Sequence, residues 1–213
     1  MTTGLITITD PRSPVAEAYR RLRTNLEFAS LDSSLRTLLV TSAGPDEGKS
    51  TTLSNLAVSI AQAGRRVILV DGDLRHPCLH ELFGLDNRQG LTTVVGQASG
   101  DIPLQESGVN GLRVLAAGPL PDIPADLIAS PAVETLIATL REQADIVLFD
   151  APPVVTVTDA AVLASKVDGV LLVINAGRTR REYAQRAKAL LAQVHARVVG
   201  AVLTNAPHES ALL

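Results

Sequence analysis

Six short apolar runs recur along the chain, at residues 37–42 (TLLVTS), 66–71 (RVILVD), 112–117 (LRVLAA), 145–150 (DIVLFD), 169–174 (GVLLVI) and 198–203 (VVGAVL). Each has the length of a strand, and helical spacing fills the intervals between them, as βαβ units around a parallel sheet require. The runs are continuously hydrophobic rather than alternating, which predicts strands covered on both faces.

Helix boundaries carry their own punctuation. The stretch from Ser50 to Ala63 stops at Gly64, a residue suited to a left-handed helix end. Ser130 and Pro131 put a capping oxygen before a proline at the first helical position, ahead of AVETLIATLREQ. Residues 13–28 open on another Ser-Pro, and Val15, Ala18, Leu22 and Leu26 form an apolar stripe at helical spacing. Residues 84–110, rich in Gly, Asn and Gln, read as irregular connection. No internal repeat or low-complexity tract is present.

Composition narrows the picture. The 213 residues can bury one substantial core, and no linker interrupts them, so residues 1–213 read as one domain. Apolar residues make up 46% and aromatics 2%, which suits an aliphatic sheet between helices and argues against stacking platforms for bases. No run approaches the about 18 apolar residues of a membrane span, and MTTGLITITDPR lacks the layout of a signal peptide. The net charge of −3 exerts no global pull on nucleic acid or acidic lipid. The single Cys78 excludes an internal disulfide and fits a reducing cytosol. His76 and His80 flank it, but three candidate ligands with no fourth nearby predict no structural zinc.

Candidate chemistry begins at residues 41–55, TSAGPDEGKSTTLSN. Strand, Gly-containing loop, Lys-Ser and helix follow in the order of a phosphate-binding loop, whose backbone N–H groups and helix N-terminus face an anion. Gly44, Pro45, Asp46, Glu47 and Gly48 would form the loop, Lys49 would reach the β and γ oxygens, Ser50 would ligate Mg²⁺, and Thr51 would hold the α-phosphate. The usual first glycine of the pattern is Ala43 here, with Gly44 beside it.

Carboxylates extend the site. Asp71 and Asp73 end one predicted strand and Asp150 ends another, and ligands of open parallel sheets bind beyond such strand ends. One acidic strand end is expected of a phosphate-loop enzyme; the pair two residues apart is an addition. Gly72 lets both aim at metal and phosphate, with turn formation and helix capping as the alternative, and Arg75 is a candidate to orient one of them. Residues 178–188 gather Arg178, Arg180, Arg181, Arg186 and Lys188 against Glu182. That reads as a solvated basic helix, with anionic lipid or nucleic acid as alternatives.

AGPDEGKST, VILVDGDLRHP and IVLFDAPPV resemble the Walker A, Walker A′ and Walker B elements of the bacterial tyrosine kinases, the cytoplasmic kinases of capsule and exopolysaccharide biosynthesis. GLTTVVGQ, LAAGPLPDIPADLIAS and LLVINAGRTRREYAQRA extend the likeness over nearly the whole chain. The deviant Walker ATPases carry a lysine where this chain has Gly44, which favours the kinase branch.

The resemblance implies an α/β P-loop NTPase fold, its mostly parallel central sheet flanked by helices on both faces. A leading helix would span about 13–28, a nucleotide-binding core about 36–205, and a short tail would follow. It implies ATP and Mg²⁺ as cofactors, with Lys49, Asp71 and Asp73 catalytic, Ser50, Asp73 and Asp150 holding the metal partly through water, and Asn205 near adenine. Asp71 would take the tyrosine hydroxyl proton. Glu17, Arg20 and Arg23 of the leading helix match the pattern that assembles family members into a ring. The implied partner is the cytoplasmic tail of a membrane polysaccharide co-polymerase, which would bring a cytoplasmic kinase to the inner membrane face. DNA is not an expected partner. The family's usual substrate is its own C-terminal tyrosine cluster, whereas the tyrosines here are Tyr19 and Tyr183, both read as half-buried helix residues. Transfer to a partner's tyrosine, or a nucleotide-dependent ATPase switch without kinase activity, are the alternatives.

Overall fold

The computed structural model describes residues 4–29, 34–96 and 101–206. Helices α1 (Ile6–Thr9) and α2 (Pro14–Ala29) precede β1 (Thr37–Ser42), and α3 (Lys49–Gln62) leads to β2 (Val67–Asp71). Next come α4 (Leu79–Phe83), α5 (Leu91–Gly96), β3 (Gln105–Glu106), β4 (Leu112–Leu115), α6 (Pro124–Ala129), α7 (Pro131–Gln143) and β5 (Ile146–Asp150). The chain continues through α8 (Asp159–Ala164), β6 (Gly169–Asn175), α9 (Arg181–Gln193) and β7 (Val198–Thr204).

The strands form one sheet in the order β3-β4-β2-β5-β1-β6-β7. Every pairing is parallel except β3 with β4. Because side chains alternate across a strand, Leu38 and Val40 join the core beneath α2, α3 and α4, while Leu39 joins the core beneath α6, α7, α8 and α9. Two cores explain why the strand sequences are apolar throughout. The order also carries function: β5 lies between β1 and β2, so the carboxyl ends of all three meet on one edge.

Local rules account for several boundaries. Gly64 has φ +88°, as a helix-stopping glycine requires. The Ser130 hydroxyl accepts from Ala132 N–H at 3.2 Å and Pro131 opens α7. Three expectations are corrected. Residues 84–110 contain α5 and β3, elements too short to display a period. In the leading helix Val15 is 48% exposed and Ala18 is exposed. Leu22 and Leu26 of the stripe do pack on the core, but the rest of that face is Ala16, Tyr19 and Arg23, where small Ala16 is fully buried and Arg23 donates to the Ser59 carbonyl at 3.1 Å. Polar-ended side chains on the packed face shift the apparent stripe. Finally, β7 is covered only in part, with Leu203 60% exposed, because it is an edge strand. Residues 207–213 of the expected tail lie outside the described residues.

The first helix is also pinned. Thr7 donates from its backbone N–H (3.1 Å) and its hydroxyl (2.9 Å) to the Asn55 side-chain oxygen on α3. Gln62 donates to the Thr7 carbonyl at 3.2 Å. The leading segment thus braces the helix that follows the glycine loop.

Candidate active site

The loop after β1 turns through Asp46 (φ +56°) and Gly48 (φ +84°) before α3 begins at Lys49. A positive φ costs an L residue backbone strain that glycine escapes, which explains Gly48. Ala43 fits its position: its N–H donates to the Glu47 carboxylate at 3.0 Å. The same carboxylate accepts from the Thr179 hydroxyl, and the Thr204 hydroxyl donates to the Glu47 carbonyl at 2.8 Å. Glu47, 6% exposed, therefore ties the loop to the segment that follows β6 and to the end of β7.

Lys49 reaches across the strand ends. Its Nζ lies 2.8 Å from Asp73 Oδ2, 3.0 Å from Ser50 Oγ and 3.6 Å from Asp150 Oδ2. Burial pulls the ammonium pKa down, but the charges of Asp150 and Asp73 outweigh it and hold the group above its ordinary value. The Ser50 hydroxyl donates to Asp150.

The aspartates split their oxygens between scaffold and crevice. Asp71 Oδ2 accepts from Cys78 N–H (3.0 Å) and Leu79 N–H (2.9 Å) at the start of α4. Asp73 Oδ1 accepts from Arg75 N–H (3.3 Å) and His76 N–H (3.1 Å). Turn and capping roles are therefore real, and they aim the remaining oxygens. Asp73 Oδ2 meets Lys49, while Asp71 Oδ1 and Asp150 Oδ1 are buried without a hydrogen-bond partner. Asp71 and Asp150 stand opposite each other in the β2–β5 ladder. Burial, then the charge of Asp150, pushes Asp71 up to about 7; burial raises Asp150 to about 6 against the pull of Lys49. The unpartnered, buried Oδ1 of Asp150, whose other oxygen holds Ser50, fits a divalent cation at this strand end.

Arg75 departs from expectation. Its guanidinium makes two bonds to Asp159, 2.6 Å from Oδ2 and 3.3 Å to Oδ1, and so anchors the turn after Asp73 to α8 rather than touching Asp71 or Asp73. Asp159 is 2% exposed, and a bidentate guanidinium is the partner a buried carboxylate needs. Cys78 sits beside Ser50, and burial pushes its thiol up to about 11, which makes it a poor nucleophile.

The remaining candidate residues lie farther out. Asn205 follows Thr204 in a left-handed conformation (φ +52°) and is exposed, linked to the loop through the Thr204–Glu47 bond. Glu17 and Arg20 pair at 2.7 Å on the surface of α2, whereas Arg23 lies against α3. The linkages of Glu47 to Thr179 and Arg75 to Asp159 carry no sequence mark, since neither pair has a fixed spacing.

The ParA family model, described as NUBPL iron-transfer P-loop NTPase, matches residues 35–208. Tyrosine-protein kinase YwqD of Bacillus subtilis (strain 168) is 43% identical over 206 residues, 96% of this chain and 87% of the relative. The crystal structure of the chimerical protein CapA2B2 superposes with a TM-score of 0.89 at 37% identity, covering 93% of this chain and 88% of the other. The kinase domain of the Escherichia coli tyrosine kinase Etk also gives 0.89, at 31% identity, with 95% and 82% covered.

Proposed function

We infer the reaction from the premise that the chain belongs to the bacterial tyrosine-protein kinases, a branch of the P-loop NTPases: it transfers the γ-phosphoryl group of ATP to a tyrosine hydroxyl. The observation that carries this is the third carboxylate. A phosphate loop with Lys49, Ser50 and Asp150 is enough for nucleotide hydrolysis, but Asp71 adds an orphaned, buried oxygen beside Asp150.

In this reading, the backbone N–H groups of Gly44, of residues 46–48 and of the start of α3 cradle the phosphates, with Thr51 at the α-phosphate and Asn205 on the base side. Lys49, held between Asp73 and Asp150, moves toward the β and γ oxygens as the nucleotide arrives. Ser50, Asp73 and Asp150 are the residues that would hold Mg²⁺, which when bound would neutralise charge on the transferring phosphoryl group. A phenol has a pKa near ~10, so Asp71 does not strip its proton in advance. It orients the hydroxyl and accepts the proton as the bond to phosphorus forms.

Assembly and location belong to the same reading. Among the described residues no helix is long and apolar enough to cross a membrane. We assign a cytoplasmic kinase that reaches the inner membrane face through the tail of a membrane polysaccharide co-polymerase and regulates surface polysaccharide. The outer face of α2, with Glu17, Arg20 and Phe28 (66% exposed), supports contact between copies in a ring. The deciding experiment incubates the chain with Mg²⁺, γ-labelled ATP and a glutamate–tyrosine copolymer, with and without the partner tail. Phosphotyrosine that Lys49→Met abolishes supports the reading; phosphate released only to water overturns it.

A further inference from the structure

Tyr19 and Tyr183 are the tyrosines of the chain, and the structure separates them. Tyr19 faces α3 from α2, its hydroxyl hydrogen-bonded to Thr52, which is itself 1% exposed; burial raises its pKa and the bond to Thr52 offsets part of the rise. A phenol fixed between two helices cannot align with an incoming phosphoryl group without separating them. Tyr183 is 48% exposed, which corrects the half-buried reading.

Its position matters as much as its exposure. Tyr183 lies in the first turn of α9, one turn before Ala187 on the stripe where Ala187 and Leu191 are buried. That helix begins beyond the carboxyl end of β6, on the rim shared with the glycine loop, because Thr179 in the connecting segment bonds Glu47. The phenol therefore stands at the mouth side of the sheet.

The charge around it is lopsided. Arg178, Arg180, Arg181, Arg186 and Lys188 are exposed, and none of them joins an ion pair among the described residues; Glu182 is the one acid within the run. Cations flanking an acceptor suit a crevice lined by Asp71, Asp73 and Asp150 and loaded with nucleotide phosphates. Arg180 and Arg186 lie three residues to either side of Tyr183, within reach of a phosphate placed on its ring in the first helical turn.

From these relationships we propose that Tyr183 is a self-phosphorylation site of this chain. The proposal rests on the kinase reading given above. The Tyr183 oxygen bonds to the γ-phosphorus as the β–γ bridging bond breaks. ADP leaves with that electron pair, and the phenolic proton passes to a crevice carboxylate. The product is a phosphate dianion flanked by Arg180 and Arg186, neither of which joins an ion pair among the described residues.

The test labels the full chain with Mg²⁺ and γ-labelled ATP, maps phosphotyrosine by mass spectrometry, and runs the glutamate–tyrosine copolymer in parallel. Label is expected on Tyr183, reduced at least tenfold in Tyr183→Phe and retained in Tyr19→Phe, while Tyr183→Phe still phosphorylates the copolymer. Copolymer phosphorylation without label on Tyr183, or self-label that persists in Tyr183→Phe, overturns this site alone. No transfer to either acceptor overturns the kinase reading and this site with it.

Discussion

The Thr179 hydroxyl, in the segment before α9, donates a hydrogen bond to the Glu47 carboxylate inside the phosphate loop, 132 positions away in sequence. With the Ala43 N–H on the same carboxylate and Thr204 on the Glu47 carbonyl, the loop is held at both ends before any nucleotide arrives. Such preorganisation lowers the ordering cost of binding. Glu47→Ala should weaken ATP binding by up to about thirtyfold, since it loses two hydrogen bonds, one buried and one part-buried, worth roughly 1 kcal/mol each. Glu47→Gln, which can still accept from Ala43 and donate to Thr179, should stay within about threefold. Titration calorimetry with ATP and Mg²⁺ would check this; equal affinity in Glu47→Ala and the parent chain would remove the latch.

Lys49 and Asp71 should fail in different ways. Lys49→Met removes the cation between Asp73 and Asp150 and should lose both nucleotide affinity and transfer. Asp71→Asn keeps an oxygen for the Cys78 and Leu79 N–H groups, so the fold and ATP binding should survive. Its transfer rate should fall by about 10²–10⁴, the range typical of a lost proton acceptor. Full turnover of Asp71→Asn at unchanged KM would show that this carboxylate takes no part in proton transfer.

Stability of the nucleotide-free chain should depend on the same carboxylates. Asp71 is raised from 3.8 to about 7 and Asp150 to about 6. Between about pH 4 and 7 the folded chain keeps protons that the unfolded chain has released, so these groups make stability fall as pH rises through that window. Asp71→Asn removes one of them. The variant's Tm should gain on the parent at pH 8 and not at pH 4, read by thermal melts without nucleotide or metal. A Tm difference that stays constant across pH would contradict the assignment.

What could be read in advance follows from how local each feature is. The glycine loop, Lys49, Ser50 and the aspartates at strand ends sit in contiguous motifs whose chemistry dictates their spacing, and the structure brings Lys49, Ser50, Asp73 and Asp150 within contact. The parallel sheet was equally legible, because apolar runs of strand length recur between stretches of helical spacing, the order that βαβ units require. The packed face of α2 was not, since Tyr19 and Arg23 bury stems with polar ends where a hydrophobic count seeks Leu or Val. The Arg75 guanidinium found Asp159, 84 positions away, while only its backbone N–H meets Asp73, and only the folded chain reveals such a pairing.

Gly72 provides the most direct test of how closely the acidic strands must approach. Its N–H donates to the Asp150 carbonyl at 3.0 Å, and a Cβ built on it would lie 2.7 Å from that oxygen and 3.2 Å from Leu163 Cδ2. The carbonyl belongs to backbone within the β5 ladder and cannot turn aside as a side chain could. Gly72→Ala must therefore push β2 from β5 just where Asp71 faces Asp150. Overpacking of this kind costs about 1–3 kcal/mol, enough to lower the urea midpoint clearly. Because the shift falls on the carboxylates, transfer should decline beyond what the unfolded fraction explains. If Gly72→Ala had the parent's midpoint and turnover, the glycine would serve only the turn, and the close approach of the two strands would be dispensable.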